Sequence, residues 1–198
     1  MISENLENDL RSLLQNNLEV QMPRLPRPTA RLLLPLAGLA ALAGCVVNLS
    51  FDMNQTVALD AVGTSVSTVQ PFDLGQYPEV QQHKNEVQSL GLDSVDLLVT
   101  AVATANKANS VSGTLALRPD GATDASHDVQ VGALNNVSTA QGTRLHIPGN
   151  PAVDAFLLSV IKGSGKFSAV IAGTTTPGEA HITVQATLHA SLGYGSGL

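Results

Sequence analysis

This 198-residue chain has one cysteine, no tryptophan and few aromatics of any kind, at 3% of residues. A single cysteine excludes an intramolecular disulfide framework and any cysteine-rich zinc site, and leaves room only for one special thiol. Charge is also scarce, at 13%, and basic charge scarcest: 10 Lys plus Arg stand against 16 Asp plus Glu, a net charge of -6. A surface so poor in bases lacks the positive field that nucleic acid requires, so nucleic-acid binding is excluded. Long apolar runs are missing too. The run over residues 32–43 is interrupted by Pro35 and Gly38, and it is far short of the roughly 20 residues that cross a bilayer core as a helix. No HExxH, no GxSxG elbow and no glycine-rich phosphate loop between a strand and a helix occurs in the sequence.

The charge that is present is unevenly spread. Residues 1–21 hold Arg11 against Glu4, Glu7, Asp9 and Glu19, whereas residues 22–44 hold Arg24, Arg27 and Arg31 with no acid. Three arginines leading into a short apolar run that ends in small residues read as a secretory signal, removed on export, and not as part of a fold. Residues 1–21 place Leu6, Leu10, Leu13, Leu14 and Leu18 at helical spacing. An acidic helix ahead of a signal works against export, and the internal Met22 could start a signal by itself. The segment is therefore either an upstream stretch ahead of the true start, the favoured reading, or a genuine extension.

The signal ends in Leu42-Ala43-Gly44-Cys45, which resembles the lipobox of bacterial lipoproteins. The resemblance covers residues 22–45 and includes the only cysteine. It implies that the Cys45 thiol is diacylated, that cleavage falls between Gly44 and Cys45, and that the freed amino group is acylated as well. Each buried methylene contributes about 0.8 kcal/mol, so two or three chains hold a protein stably on a membrane where one does not. Cys45 is then an anchor and not a nucleophile. Val46 and Val47 follow it with no Asp, which by the enteric sorting rule favours the outer over the inner membrane of the envelope.

Removal of residues 1–44 leaves one domain, 45–198, long enough to bury one substantial core. Its dominant period is two. Strands are expected over 49–59, 65–72, 92–103, 111–117, 128–134, 143–147, 167–172 and 182–192, the last with Ile182, Val184, Ala186, Leu188, Ala190 and Leu192 on one face and His181, Thr183, Gln185, Thr187, His189 and Ser191 on the other. Short polar connections at 106–110 and 174–179 predict two hairpins, joining 92–103 to 111–117 and 167–172 to 182–192. A glycine-rich tail is expected from Gly193. Asn150-Pro151 caps a helix over 151–162 with Val153, Phe156, Leu157, Val160 and Ile161 as its apolar stripe and Gly163 as its stop. A second, more polar helix is expected over 78–90. The sum is a mainly β chain: an antiparallel, immunoglobulin-like β-sandwich with one or two crossover helices. The Cys-Trp-Cys pattern of true immunoglobulin domains is missing. The strand order also resembles the sandwich domain of late-embryogenesis-abundant and hypersensitive-response proteins, without any motif.

Chemistry-bearing constellations are few. The five histidines, His83, His127, His146, His181 and His189, show no metal-ligand spacing. His181 and His189 share a strand face but lie about 26 Å apart, so each histidine reads as a solvated position. Asp120, Asp124 and Asp128 place three carboxylates in one loop, yet their spacing fails the calcium-loop pattern and the loop reads as solubilising. Asp93 and Asp96 read as edge charges at a strand start. Gly163-Ser164-Gly165-Lys166 imitates the end of a phosphate loop but sits between a helix and a strand, in the reverse order. The sequons at Asn48, Asn54 and Asn136 read as coincidence in a bacterial lipoprotein. No catalytic residue, metal or cofactor is expected. The preferred function is a lipid-anchored, non-catalytic binding or structural module of the bacterial envelope, with the membrane and an envelope protein or polysaccharide as partners. An accessory subunit of an envelope or secretion assembly is the alternative, and an enzyme comes third.

Overall fold

The computed structural model describes residues 46–195. The stretch 1–21, the signal 22–44, Gly44 and Cys45 lie outside the described residues. Eight strands and two helices follow in the order β1 (Val47–Asp60), β2 (Ser65–Asp73), α1 (Pro78–His83), β3 (Val87–Val102), β4 (Ser110–Pro119), β5 (Val129–Ser138), β6 (Arg144–Pro148), α2 (Pro151–Lys162), β7 (Lys166–Thr176) and β8 (His181–Tyr194). They form two four-stranded sheets, β1-β8-β3-β6 and β2-β7-β4-β5, and every paired neighbour is antiparallel. The expected antiparallel sandwich with crossover helices is therefore the fold.

Its connectivity follows one rule. β1 pairs with β8, β2 with β7, β3 with β6 and β4 with β5, a nested set closing on the loop that carries Asp120 and Asp124. The chain is one long hairpin rolled upon itself, which is jelly-roll order. Rolling brings β8 against β3 and β7 against β4 and completes each sheet.

The rolled order corrects both expected hairpins. β3 and β4 lie in different sheets, as do β7 and β8, so residues 103–109 and 177–180 are arches that cross from one sheet to the other. The two arches are tied together, Lys107 and Ala108 donating to the Glu179 carbonyl at 2.9 and 3.0 Å. An alternating strand has one apolar face, and that face is equally satisfied by a strand beside it or by one opposite it. Period two cannot distinguish the two arrangements.

The second helix also differs from expectation. α1 stops at His83, a 3₁₀ turn covers Lys84–Glu86, and Val87 already pairs with Tyr194 in β3. Of the apolar residues Val80, Val87 and Leu90, which a helix over 78–90 would place on one face, only Val80 is buried within α1, while Leu90 is buried as part of β3. A short polar helix has little to bury, and a 16-residue strand paired along β8 outweighs it. His83 stacks on Tyr194 with ring centroids 3.6 Å apart. Gly193 and Tyr194 accordingly belong to β8 and not to a tail.

α2 forms as its sequence predicts. The Asn150 side chain accepts hydrogen bonds from the Ala152 and Val153 amides, both at 3.1 Å, and donates to the Gln130 and Val131 carbonyls of β5. The Asp154 carboxylate accepts the Leu92 amide of β3 at 2.9 Å. Only glycine fits at 149, because a Cβ there would lie 1.5 Å from the Leu92 carbonyl oxygen. α2 thus seats its apolar stripe at the end of the sandwich, where Phe156 meets Phe167 edge-on at 6.3 Å and Phe167 stacks on Phe72 at 5.1 Å. Between the sheets two apolar voids of about 20 and 40 Å³ remain, an order of magnitude below the roughly 300 Å³ at which small-molecule pockets begin.

Phe156→Ala removes the edge-on ring from this cluster and is expected to cost about 3–5 kcal/mol in urea denaturation. A loss below about 1 kcal/mol would place the ring outside the core.

Candidate functional site

The feature with most chemistry lies on the outer face of the first sheet. One side chain from each strand contributes: Asp52 from β1, His189 from β8, Asp96 from β3 and His146 from β6. Nδ1 of His189 lies 2.7 Å from Oδ1 of Asp52, and its Nε2 lies 3.0 Å from Oδ2 of Asp96. The other oxygen of Asp96 is 2.7 Å from Nδ1 of His146. Carboxylate and imidazole alternate across the whole width of the sheet.

Register explains the arrangement. Asp52 is the direct partner of His189, and Asp96 of His146. Asp96 stands opposite Thr187, diagonal to His189, with a register shift nearby between Leu92 and Ser94. Diagonal neighbours on one face are within reach of long side chains. Flanking bonds extend the pattern. Thr187 donates to Asn54 at 2.7 Å, Ser191 donates to Asp93 at 3.0 Å, and His181 meets Asp60 at 3.0 Å. Beside the ladder, Asp96, Arg144, His146, Gln185 and Thr187 line an open depression of about 420 Å³.

The electrostatics follow from the geometry. With Asp52 and Asp96 ionised, His189 satisfies both only by donating from both nitrogens, which is the imidazolium form. The hydrogen bond to Asp52 raises the His189 pKa above its ordinary value, partial burial opposes this, and Asp96 adds to the rise. The Asp96 pKa is lowered, first by its bond to His146, against a smaller desolvation effect, and then by His189. A histidine with a carboxylate on each nitrogen has no free lone pair with which to activate a nucleophile. The two carboxylates favour the protonated His189 ring, and the ladder links all four strands of the sheet at their surface.

The other expected positions separate. Asp128 forms a two-pronged ion pair with Arg118, at 2.6 and 2.8 Å. Asp124 caps a 3₁₀ turn by accepting the Ser126 amide and hydroxyl. These carboxylates and Asp120 do not converge, and among the described residues no group of three or more His, Cys, Asp or Glu could hold a metal ion. Asp124, Ser126 and His127 resemble a catalytic triad in composition only. The same nitrogen, Nδ1 of His127, faces both Ser126 at 3.1 Å and Asp124 at 3.3 Å, whereas a relay needs one nitrogen for each. Asp93 and Asp96 are not edge charges. β3 begins at Val87 and lies between β8 and β6, so both are inside an interior strand.

His127 and His146 are exposed, as expected, whereas His83, His181 and His189 are half-buried, and solvation alone missed that His146 and His189 share Asp96. Period two puts Asp52 and His189 on wet faces, whereas the strand over 92–103 is apolar on both faces and marks no wet side for Asp96. Only the pairing order brings them together.

No family model matches the sequence, and no curated protein matches it. Among solved structures the chain is similar to the decameric BFDV capsid protein, with 9% identity over 75% of this chain and 99% of that one, at a TM-score of 0.40. It is similar to Desmodium yellow mottle tymovirus, with 11% identity, 90% and 97% coverage and a TM-score of 0.33. A semi-empty particle of the Macrobrachium rosenbergii nodavirus gives 12% identity, 92% and 98% coverage and a TM-score of 0.37. Likenesses this distant carry nothing about function.

A histidine whose folded pKa is raised contributes stability that is fully present below the unfolded value of about 6.5 and is lost as pH rises through the folded value. Asp96 acts in the opposite sense, with stability present above its unfolded pKa, near 4, and lost as pH falls through the lowered one. Melting temperature is therefore expected to peak on the weakly acidic side of neutrality, and His189→Gln is expected to flatten its alkaline slope. In an NMR titration Asp52→Asn should return His189 towards 6.5. A wild-type His189 titrating at or below about 6.5 would contradict the ladder.

Neither chelator nor added calcium is expected to shift the melting temperature, since a ligand stabilises only a fold that binds it. A calcium-dependent rise of several degrees, abolished by Asp124→Ala, would overturn the metal-free reading.

Proposed function

We propose that this chain is a lipid-anchored, non-catalytic binding or structural module of the bacterial cell envelope, tethered through Cys45. The observation that carries the reading is where the signal stops and the fold starts. Cys45 closes the lipobox-like Leu42-Ala43-Gly44-Cys45, and after Val46 alone the first strand begins at Val47. Cleavage before Cys45 would leave all eight described strands intact. With so short a tether, the end of β1 that carries Val46 and Val47 lies at the lipid surface. Both valines are exposed, at 50% and 44%, as suits residues next to acyl chains and headgroups.

A binding or structural role, in preference to catalysis, is supported by the state of the side chains. His189 has both nitrogens engaged by carboxylates, and the space between the sheets is filled with apolar side chains. What the domain offers a partner is its outer surface. On the first sheet that surface is hydroxyl-, amide- and carboxylate-rich, with Asp52, Asn54, Thr187, Gln185 and Asp96 side by side. Such groups suit an envelope polysaccharide or a polar protein surface. The absence of Asp after Cys45 favours the outer membrane.

Mass spectrometry of protein extracted from membranes tests the anchor. The expected species begins at Cys45 and carries acyl chains, and Cys45→Ser is expected to yield an unprocessed or released chain. A free Cys45 thiol behind an intact Met1 or Met22 terminus would sink the reading.

A further inference from the structure

An open sandwich has four edge strands, and three of these are blunted. β2 contains Pro71, β6 is 5 residues long and ends in Pro148, and β5 runs against β4 with two register shifts. Proline, brevity and bulges are the ordinary protections against further strand pairing. β1 has none of them. It is 14 residues long, has no Pro, Gly, Lys or Arg, and keeps one unbroken register against β8 from Val47 to Asp60. Among the described residues β1 pairs on one side only.

The direction of its free hydrogen-bonding groups is set by β8. The Ala61 amide donates to the Ala180 carbonyl, which continues the β1·β8 register, so odd-numbered residues bond to β8. By the alternation of an antiparallel ladder, the amides and carbonyls of Asn48, Ser50, Asp52, Asn54, Thr56 and Ala58 point away from it. The same even-numbered side chains form the exposed face.

We propose that this edge pairs with β1 of a second copy of the chain, antiparallel, about a two-fold axis at Met53. That register sets even residues opposite even ones: Asp52 faces Asn54 of the other copy, Ser50 faces Thr56, and Asn48 faces Ala58. About a dozen main-chain hydrogen bonds result. The only charges of β1, Asp52 and Asp60, are never directly opposite their counterparts, and the two Asp52 side chains stand diagonally across the axis, each held by its own His189. Asp52 uses Oδ1 for His189, which leaves Oδ2 free, and Asn54 uses its oxygen for Thr187, which leaves its amide N–H groups free. Each free carboxylate oxygen therefore faces a free donor, twice over by symmetry. On the inner face, exposed Val47 and half-buried Leu49 come to lie opposite Leu59 and Val57. The histidine–carboxylate ladder of one copy then continues into the other through Asp52 and Asn54. Antiparallel pairing sends the two N-termini to opposite ends, about 50 Å apart, so two lipid anchors reach one bilayer when the strands run along it.

Cysteine cross-linking of the full chain in membranes tests the register. Residues facing each other in a hydrogen-bonded antiparallel pair have Cα atoms about 5.5 Å apart, within disulfide range. Ser50→Cys/Thr56→Cys is expected to give a disulfide-linked dimer on oxidation, whereas wild type and each single variant pair without forming that covalent link. Wild type also reports any cross-link through an unacylated Cys45, which separates failure of the anchor from failure of the pairing. Thr56→Pro removes an amide that the monomer does not use, so it is expected to abolish the dimer and preserve the circular dichroism spectrum. Asn54→Asp sets carboxylates opposite Asp52 and should weaken association about tenfold. A folded double variant that gives no dimer, or an Asn54→Cys single variant that cross-links efficiently, would overturn the proposal.

Discussion

Everything in this domain depends on the nested pairing that joins β1 to β8, β2 to β7, β3 to β6 and β4 to β5. Each pair turns an alternating sequence into a ribbon with one apolar and one polar face. Rolling the ribbon lets its own length cover the apolar side, since the chain has few aromatics with which to fill a core and, among the described residues, one substantial helix. Once rolled, β8 lies between β1 and β3 and β7 lies between β2 and β4. The core is therefore made of aliphatic side chains from two interleaved layers, with Phe72, Phe156 and Phe167 closing the end under α2.

The polar face is a by-product of the same rolling. Asp52 and Asp96 belong to strands that are remote in sequence and do not touch each other, and His189 stands between them because β8 does. When protonated, His189 separates two carboxylates that would otherwise repel across the sheet. A neutral imidazole has one N–H and leaves one of them without a donor. The surface of the sheet is thus coupled to solution pH through His189 and Asp96 in opposite senses, while the fully buried side chains beneath it, among the described residues, do not titrate.

Much of this was legible in the sequence and some was not, for a definite physical reason. The eight strand positions, the wet face of β8 and the caps of α2 are local: alternation, Asn150-Pro151 and Gly163 suffice to read them. Pairing is not local. Residues 106–110 and 174–179 look like hairpin turns because a short polar connection serves an arch between sheets as well as a turn within one. The same blindness hid the ladder: the wet-face positions of Asp52 and His189 were readable, but Asp96 read as an edge charge and its adjacency to His146 and His189 depends on pairing. The failed helix beyond His83 has a different cause. Val87 and Leu90 fit a helical stripe, and only the length of the partner strand shows that they are better used in β3.

One further consequence attaches to the place of β8. β1 is among the first segments of the fold to be delivered, whether from a ribosome or through a membrane pore, and its only partner among the described residues is the last strand. Until residues 181–194 emerge, the first sheet has neither its centre nor a mate for its opening strand. The order of the strands thus acts as a timer, in which the opening strand waits unpaired until the centre of its sheet becomes available.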